Sequence, residues 1–229
     1  MAMFMVKPWY KKDDFDPDAC FDENNTATEE NFIKLLEHGV YDSKYIGYFV
    51  TLSNSVDYNG GKWVIADVNH DSTNTGQTNC YDLVSLDIFY ATTYSGEDNV
   101  WRTSYPRTWL NNTFYPGFGN DIKLRILNIK YYSKNAWYND DKVIMPSCDE
   151  LNLTTAQYKD TEGIPYPIFT DNASRKKRPY DSSSYEYYWT RTRWTTRPTW
   201  LHAISESGTS AQALDYYYST RLAAVLRIS

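Results

Sequence analysis

The sequence holds no run of about 18 apolar residues, so no segment is built to cross a bilayer as a helix. Its start, MAMFMVKPWYKK, lacks the apolar stretch of about 7–15 residues and the small-residue cleavage site of a secretory signal, and none is expected. There are 3 cysteines, Cys20, Cys80 and Cys148, far apart, with no CxxC and no zinc spacing. That pattern excludes a disulfide framework and predicts free thiols in a protein made in a reducing cytoplasm. Histidine is scarce too. His38, His70 and His202 are the only ones, and none sits in a G-x-S-x-G or similar frame. A hydrolase needs a nucleophile, a base and an orienter held together, and nothing here marks such a set. Basic residues are outnumbered, 23 Lys and Arg against 29 Asp and Glu, for a net charge of −6. This argues against sequence-independent binding to nucleic acid. The one basic run, Arg175 to Arg178, is short and is expected to be a solvated turn. No internal repeat occurs at a period of about 20–50 residues.

Aromatic residues are abundant. The chain of 229 residues carries 22 Tyr and 8 Trp, and the last fifty hold the densest group. Tyr185, Tyr187, Tyr188, Trp189, Trp194 and Trp200 alternate there with Arg191, Arg193 and Arg197, and Tyr216, Tyr217 and Tyr218 follow. A buried strand is usually rich in Val, Ile and Leu, and this stretch is short of them until Leu222 to Ile228. Tyr, Trp and Arg dominate recognition surfaces because they offer rigid area with a polar handle. The pattern therefore predicts a binding face. It equally describes an aromatic β-sheet, since such side chains fit the pleat.

Along the chain, residues 1–27 read as an acidic arm whose Met3, Phe4, Val6, Trp9, Tyr10 and Phe15 should dock on this domain or on a neighbouring subunit. Thr28 to His38 is an amphipathic helix with Thr28 as N-cap and Phe32, Leu35 and Leu36 on one face. Tyr45 to Leu52 and Lys62 to Val68 form a hairpin around Asp57 to Gly61. Leu83 to Tyr90 is strand-like. Ser104 caps a helix carrying Trp109, Leu110 and Phe114, and Asn120 caps another carrying Ile122, Arg125, Ile126 and Ile129. Lys142 to Met145 is a short strand, and Ser147 with Glu150 fits a capping box. Gly163 to Phe169 is extended. A hairpin turns at Glu206 to Gly208, and Leu222 to Ile228 is the final strand.

Asp67, Asn69 and Asp71 place oxygens at alternate positions, as calcium loops do. The segment lacks the glycine and the bidentate glutamate of an EF-hand loop, and an Asx-rich turn is favoured over a bound calcium ion. No cofactor is expected.

Taken in order, KWVIADVNHD, SYPRTWLNNTFYPGF, DIKLRI, DKVIMPSCDEL, YPIFTDNASRKK, YYWTRTR and RLAAVLRI resemble the DUF6273 family, seen in phage tail-region and bacterial surface proteins. That family is similar in fold to the C-type lectin-like group, which includes formylglycine-generating enzyme and the variable proteins of diversity-generating retroelements. The resemblance implies an α+β domain over residues 45–229, with small twisted antiparallel sheets, two or three helices, and a last strand near the first. Residues 1–44 would be a separate docking or oligomerising part. The resemblance also carries a ligand-facing surface onto Arg193, Trp194, Thr195, Arg197, Thr199, Trp200, His202, Tyr216, Tyr217 and Tyr218, with Trp189 and Arg191 as scaffold. His202 adjoins an apolar stretch, and its residue context alone favours a structural role. The oxygenase-like relatives need paired C-terminal cysteines, and none follows Cys148. The expected function is a non-enzymatic virion protein of tail tip or fibre, exposed on the particle. It would be oligomeric and would bind a host surface protein or glycan. A module that only decorates the virion, and an enzyme on the same fold, are the alternatives.

Overall fold

The computed structural model describes residues 15–56, 61–94, 100–133, 136–153, 156–157, 159–197, 199–209 and 214–229. The apolar arm from Met3 to Tyr10 lies outside them, as does most of the turn at Asp57 to Gly61. The described part of the arm docks on its own domain: Phe15 stacks on His38 with ring centroids 3.7 Å apart, and Cys20 is buried.

Strand β1 (Thr26–Ala27) leads into helix α1 (Glu29–Glu37). The Thr28 hydroxyl accepts from the Asn31 amide at 3.3 Å, and Phe32, Leu35 and Leu36 are buried. This is the helix that the spacing predicts. Strands β2 (Phe49–Leu52) and β3 (Gly61–Val68) form the expected hairpin, Phe49 opposite Val64. The predicted strand starts later than Tyr45 because Ser43–Tyr45 is a tight turn capped by Asp42. A short helix α2 (Ser72–Thr75) separates β3 from β4 (Tyr81–Ser85), and β5 (Phe89–Thr92) follows. Helix α3 (Tyr105–Trp109) is capped by Ser104 and continues as a π-helical turn, Leu110–Phe114. Helix α4 (Asn120–Lys123) is one turn long, begins after Gly119 with no side-chain cap, and ends well before Ile129. Strands β6 (Ile129–Ser133) and β7 (Ala136–Asp141) then pair antiparallel. The remaining elements are β8 (Val143–Ile144), α5 (Asn172–Arg175), β9 (Tyr188–Arg193), β10 (Trp200–Ile204), β11 (Leu214–Asp215), β12 (Thr220–Leu222) and β13 (Val225–Ile228).

The molecule is α+β, built mostly of sheets with five short helices among the described residues rather than two or three. One sheet has the order β1-β2-β3-β4-β13-β8, a second β11-β10-β9-β12-β5, and β6 with β7 makes a third. Pairing is antiparallel except at β1 with β2 and β9 with β12. Two predicted strands each split in two. Residues 83–90 divide between β4 and β5, and residues 222–228 between β12 and β13. Both splits occur at one corner. The Ser85 amide donates to the Ala224 carbonyl at 2.9 Å, and the Ala224 amide donates to the Ser85 hydroxyl at 3.0 Å. Two chain segments thus pass side by side from one sheet to the other. The last strand joins β4 and β8, not the first strand.

One core unites these layers, drawing Phe32 from α1, Trp63 from β3, Leu83 from β4, Trp189 from β9 and Leu226 from β13. Residues 26–37 are therefore built into the same interior as the rest, through β1 and α1. The core also holds paired charges. Arg227 donates to both Asp82 oxygens, at 2.6 and 2.7 Å, and the Tyr166 hydroxyl donates to the same carboxylate at 3.0 Å. Burying such a pair costs desolvation that only good geometry offsets.

A candidate ligand-binding face at the ends of strand β9

Strand β9 lies between β10 and β12, with partners on both sides. Its first five residues, Tyr188 to Thr192, are all buried. The Trp189 indole donates to the Thr92 carbonyl at 3.2 Å. Arg191 donates to the two oxygens of Glu150, each at 2.6 Å, and to the Met145 carbonyl at 2.7 Å. Glu150 in turn accepts the Ser147 amide at 3.0 Å, which closes the capping box predicted there. Glu162 is wholly buried beside this pair, accepting from Ser133 at 2.6 Å and from Thr192 at 2.7 Å. Burial pushes its carboxyl up to about 7, although Arg191 opposes the shift.

The strand emerges at Arg193, whose guanidinium meets Asp160 at 2.6 Å. Backbone bonds from Trp194 N–H to the Trp200 carbonyl (3.0 Å) and from Trp200 N–H to the Arg197 carbonyl (3.2 Å) hold the turn beyond it. Trp194 and Trp200 pack edge to face at 6.2 Å, and the Arg197 guanidinium lies 3.9 Å over the Trp200 ring. Both indoles are half-buried, while Thr195 and Arg197 are exposed. Thr199 accepts the Tyr216 amide at 2.9 Å, which brings Tyr216 beside the turn. Tyr216 is half-buried, and its ring lies 4.2 Å from that of Tyr217. Tyr217 and Tyr218 are 70% and 62% exposed. His202 is different. It is 1% exposed, with its ring stacked against Trp194 at 4.9 Å. It supports the surface from within rather than forming it.

The opposite end of β9 carries a cleft of about 640 Å³ that the sequence did not single out. Tyr185, Glu186 and Tyr187, just ahead of β9, line it together with Glu206 after β10 and Tyr218 and Arg221 around β12. Arg221 pairs with Glu186 at 3.1 Å. Of these residues Tyr218 belongs to the surface that the resemblance implies, and Tyr185 and Tyr187 to the aromatic stretch read as a binding face. The signal was present in the alternation of Tyr185 and Tyr187, but Glu206 and Arg221 reach the cleft only through the sheet order.

Other expected sites have other uses. Asp67 accepts from His70 at 2.8 Å, Asn69 accepts the Cys80 amide at 3.2 Å, and Asp71 accepts from Asn74 at 2.6 Å. These are the bonds of an Asx-rich turn, and no group of metal-binding side chains gathers among the described residues. The basic run is not a solvated turn throughout. Arg175 and Lys177 are buried, Arg175 on the carbonyls of Gly208 (2.9 Å) and Leu151 (3.2 Å), Lys177 on those of Ser85 and Leu86. Burial brings the Lys177 ammonium down to about 8. The same turn demands Gly208, since a Cβ there would lie 1.8 Å from the Asn172 carbonyl oxygen. The three cysteines are free and buried, and burial pushes Cys80 up to about 11 and Cys148 to about 12. Neither is a thiolate nucleophile at neutral pH. No helix among the described residues is long and apolar enough to cross a membrane.

The model of a family described as a domain of unknown function, DUF6273, matches residues 82–228, more than half of the chain. The chain belongs to the DUF6273 family. No curated protein and no solved structure matches it. The DUF6273 match runs from β4 to the end of β13 and takes in both ends of β9. It begins later than residue 45 and leaves α1 and β1 to β3 outside, although these strands share a sheet with β4.

Proposed function

We propose that this DUF6273 protein is a non-enzymatic attachment module of a phage particle, on a C-type lectin-like fold, made in the bacterial host and displayed at a tail tip or fibre. It binds a host surface ligand through the turn beyond β9 and the tyrosines after β11. The observation that carries this reading is the Trp194–Trp200–Arg197 stack. Backbone bonds fix the turn that carries its rings and leave them half open, while Tyr188 and Trp189, in the strand before them, are interior. Such a surface loses little side-chain freedom on binding, which is where rigid aromatic anchors gain affinity. Arg197 adds a planar donor able to stack or to pair with a carboxylate.

The test is adsorption. Particles carrying Trp194→Ala and Trp200→Ala are expected to assemble and to lose attachment to the host. If such particles fail to assemble while the purified variant stays folded, the face is a contact between virion proteins and the module decorates the particle. If attachment is unchanged, this face is not the attachment surface.

A further inference from the structure

The cleft at the start of β9 has a chemistry of its own. Tyr185, Tyr187 and Tyr218 are 49%, 41% and 62% exposed. None of the three rings stacks on another among the described residues, and each is partly open to solvent. One face of Tyr185 is met by the Lys176 ammonium, 5.6 Å from its centre. The Glu186–Arg221 pair lines the same cleft, as does Glu206, whose carboxylate has no ion-pair or hydrogen-bond partner among the described residues. The volume of about 640 Å³ lies within the range of small-ligand sites.

We infer that this cleft is a binding site for a short neutral oligosaccharide. Flat aromatic faces suit the apolar C–H faces of pyranose rings, and charged donors and acceptors suit their hydroxyls, because hydrogen bonds to ionised groups are the stronger ones. The charges nearly balance. Glu186 is matched by Arg221, and Lys176 stands close to the rim, so neither an anion nor a compact cation finds a dominant opposite charge. The inference stands on the cleft alone and does not need the Trp194–Trp200 stack.

The full chain, fluorescently labelled, is applied to an array holding neutral oligosaccharides (maltotriose, cellotriose and N-acetylchitotriose) beside sialyllactose and a choline conjugate. A neutral oligosaccharide is expected to bind. Tyr187→Ala and Tyr218→Ala should each weaken it about three- to tenfold. Glu206→Gln, which keeps shape and removes charge, should weaken it as well, and Trp200→Ala should leave it unchanged. The inference is overturned if no neutral oligosaccharide binds, if sialyllactose or choline binds instead, or if binding survives Tyr187→Ala and Tyr218→Ala together. Circular dichroism of each variant separates lost binding from lost folding. Loss of host adsorption in Trp194→Ala and Trp200→Ala with array binding intact leaves the cleft standing; array binding lost with adsorption intact removes the cleft and spares the attachment face.

Discussion

Residues 188–192 and 193–200 are both built largely of Trp, Thr and Arg and have opposite fates. In the first group every side chain is buried; in the second none is buried among the described residues. Neither hydrophobicity nor propensity separates YWTRT from RWTTR. What separates them is the surroundings. β9 has a strand on each side and Glu150, Glu162 and the Met145 carbonyl waiting for its polar groups, so even Arg191 can be interior. Beyond Arg193 the chain turns before re-entering the sheet at Trp200, and the rings rest on that turn's own bonds and on His202 beneath Trp194. An aromatic, Arg-rich stretch is therefore a surface or a core according to whether partners for its polar ends are already in place.

The comparison predicts a steep gradient in what substitutions cost. Arg191→Met should be among the worst, at about 3–5 kcal/mol, because it strands the Glu150 carboxylate in the interior. Adding Glu150→Met should recover most of that loss, leaving roughly 1 kcal/mol for the broken cap at Ser147. Chemical denaturation of the two variants measures both numbers, and a double variant no better than the single one would show that the pair is not the cause. Trp189→Ala, two residues earlier, should cost about 3–5 kcal/mol through the cavity it leaves.

Where the fold could be read in advance, the cause is local. Thr28 and the Phe32–Leu36 face announced α1, and Ser147 with Glu150 announced its capping box within four residues. The second role of Glu150, holding Arg191, spans 41 positions and leaves no trace in spacing. Ile122, Ile126 and Ile129 fit a helical period, yet Ile129 opens β6. The alternating burial of Ile129, Tyr131 and Ser133 is a period of two that the helical reading overrode. Nor does composition mark β9 as interior, because its polar groups are satisfied from distant segments. The face beyond β9 was legible as an aromatic turn. The cleft was not, since β12, far along the chain, supplies Arg221.

Glu162 tests the interior side of the comparison by pH. Its folded value of about 7 stands above the ordinary 4.5, so between those values the folded protein keeps a proton that the unfolded chain has released. Stability from this group is full below pH 4.5 and falls as pH rises to about 7, by at most about 1.4 kcal/mol per pH unit. Glu162→Gln should remove that slope. Urea melts of both proteins across this window should converge or cross as pH changes; parallel curves would mean that the carboxyl is not raised.

The exterior side is tested by the smallest effects. Trp200 is half-buried under Arg197, and Trp200→Ala should cost about 1–2 kcal/mol, less than its buried counterpart at Trp189. Tyr217 is 70% exposed and should cost no more than about 0.5 kcal/mol when replaced by alanine. On the attachment reading, such a residue serves a partner outside the monomer. If Tyr217→Ala instead destabilises the protein as Trp189→Ala does, the division between the two halves of this aromatic stretch fails, and the tyrosines after β11 belong to the interior with the rest.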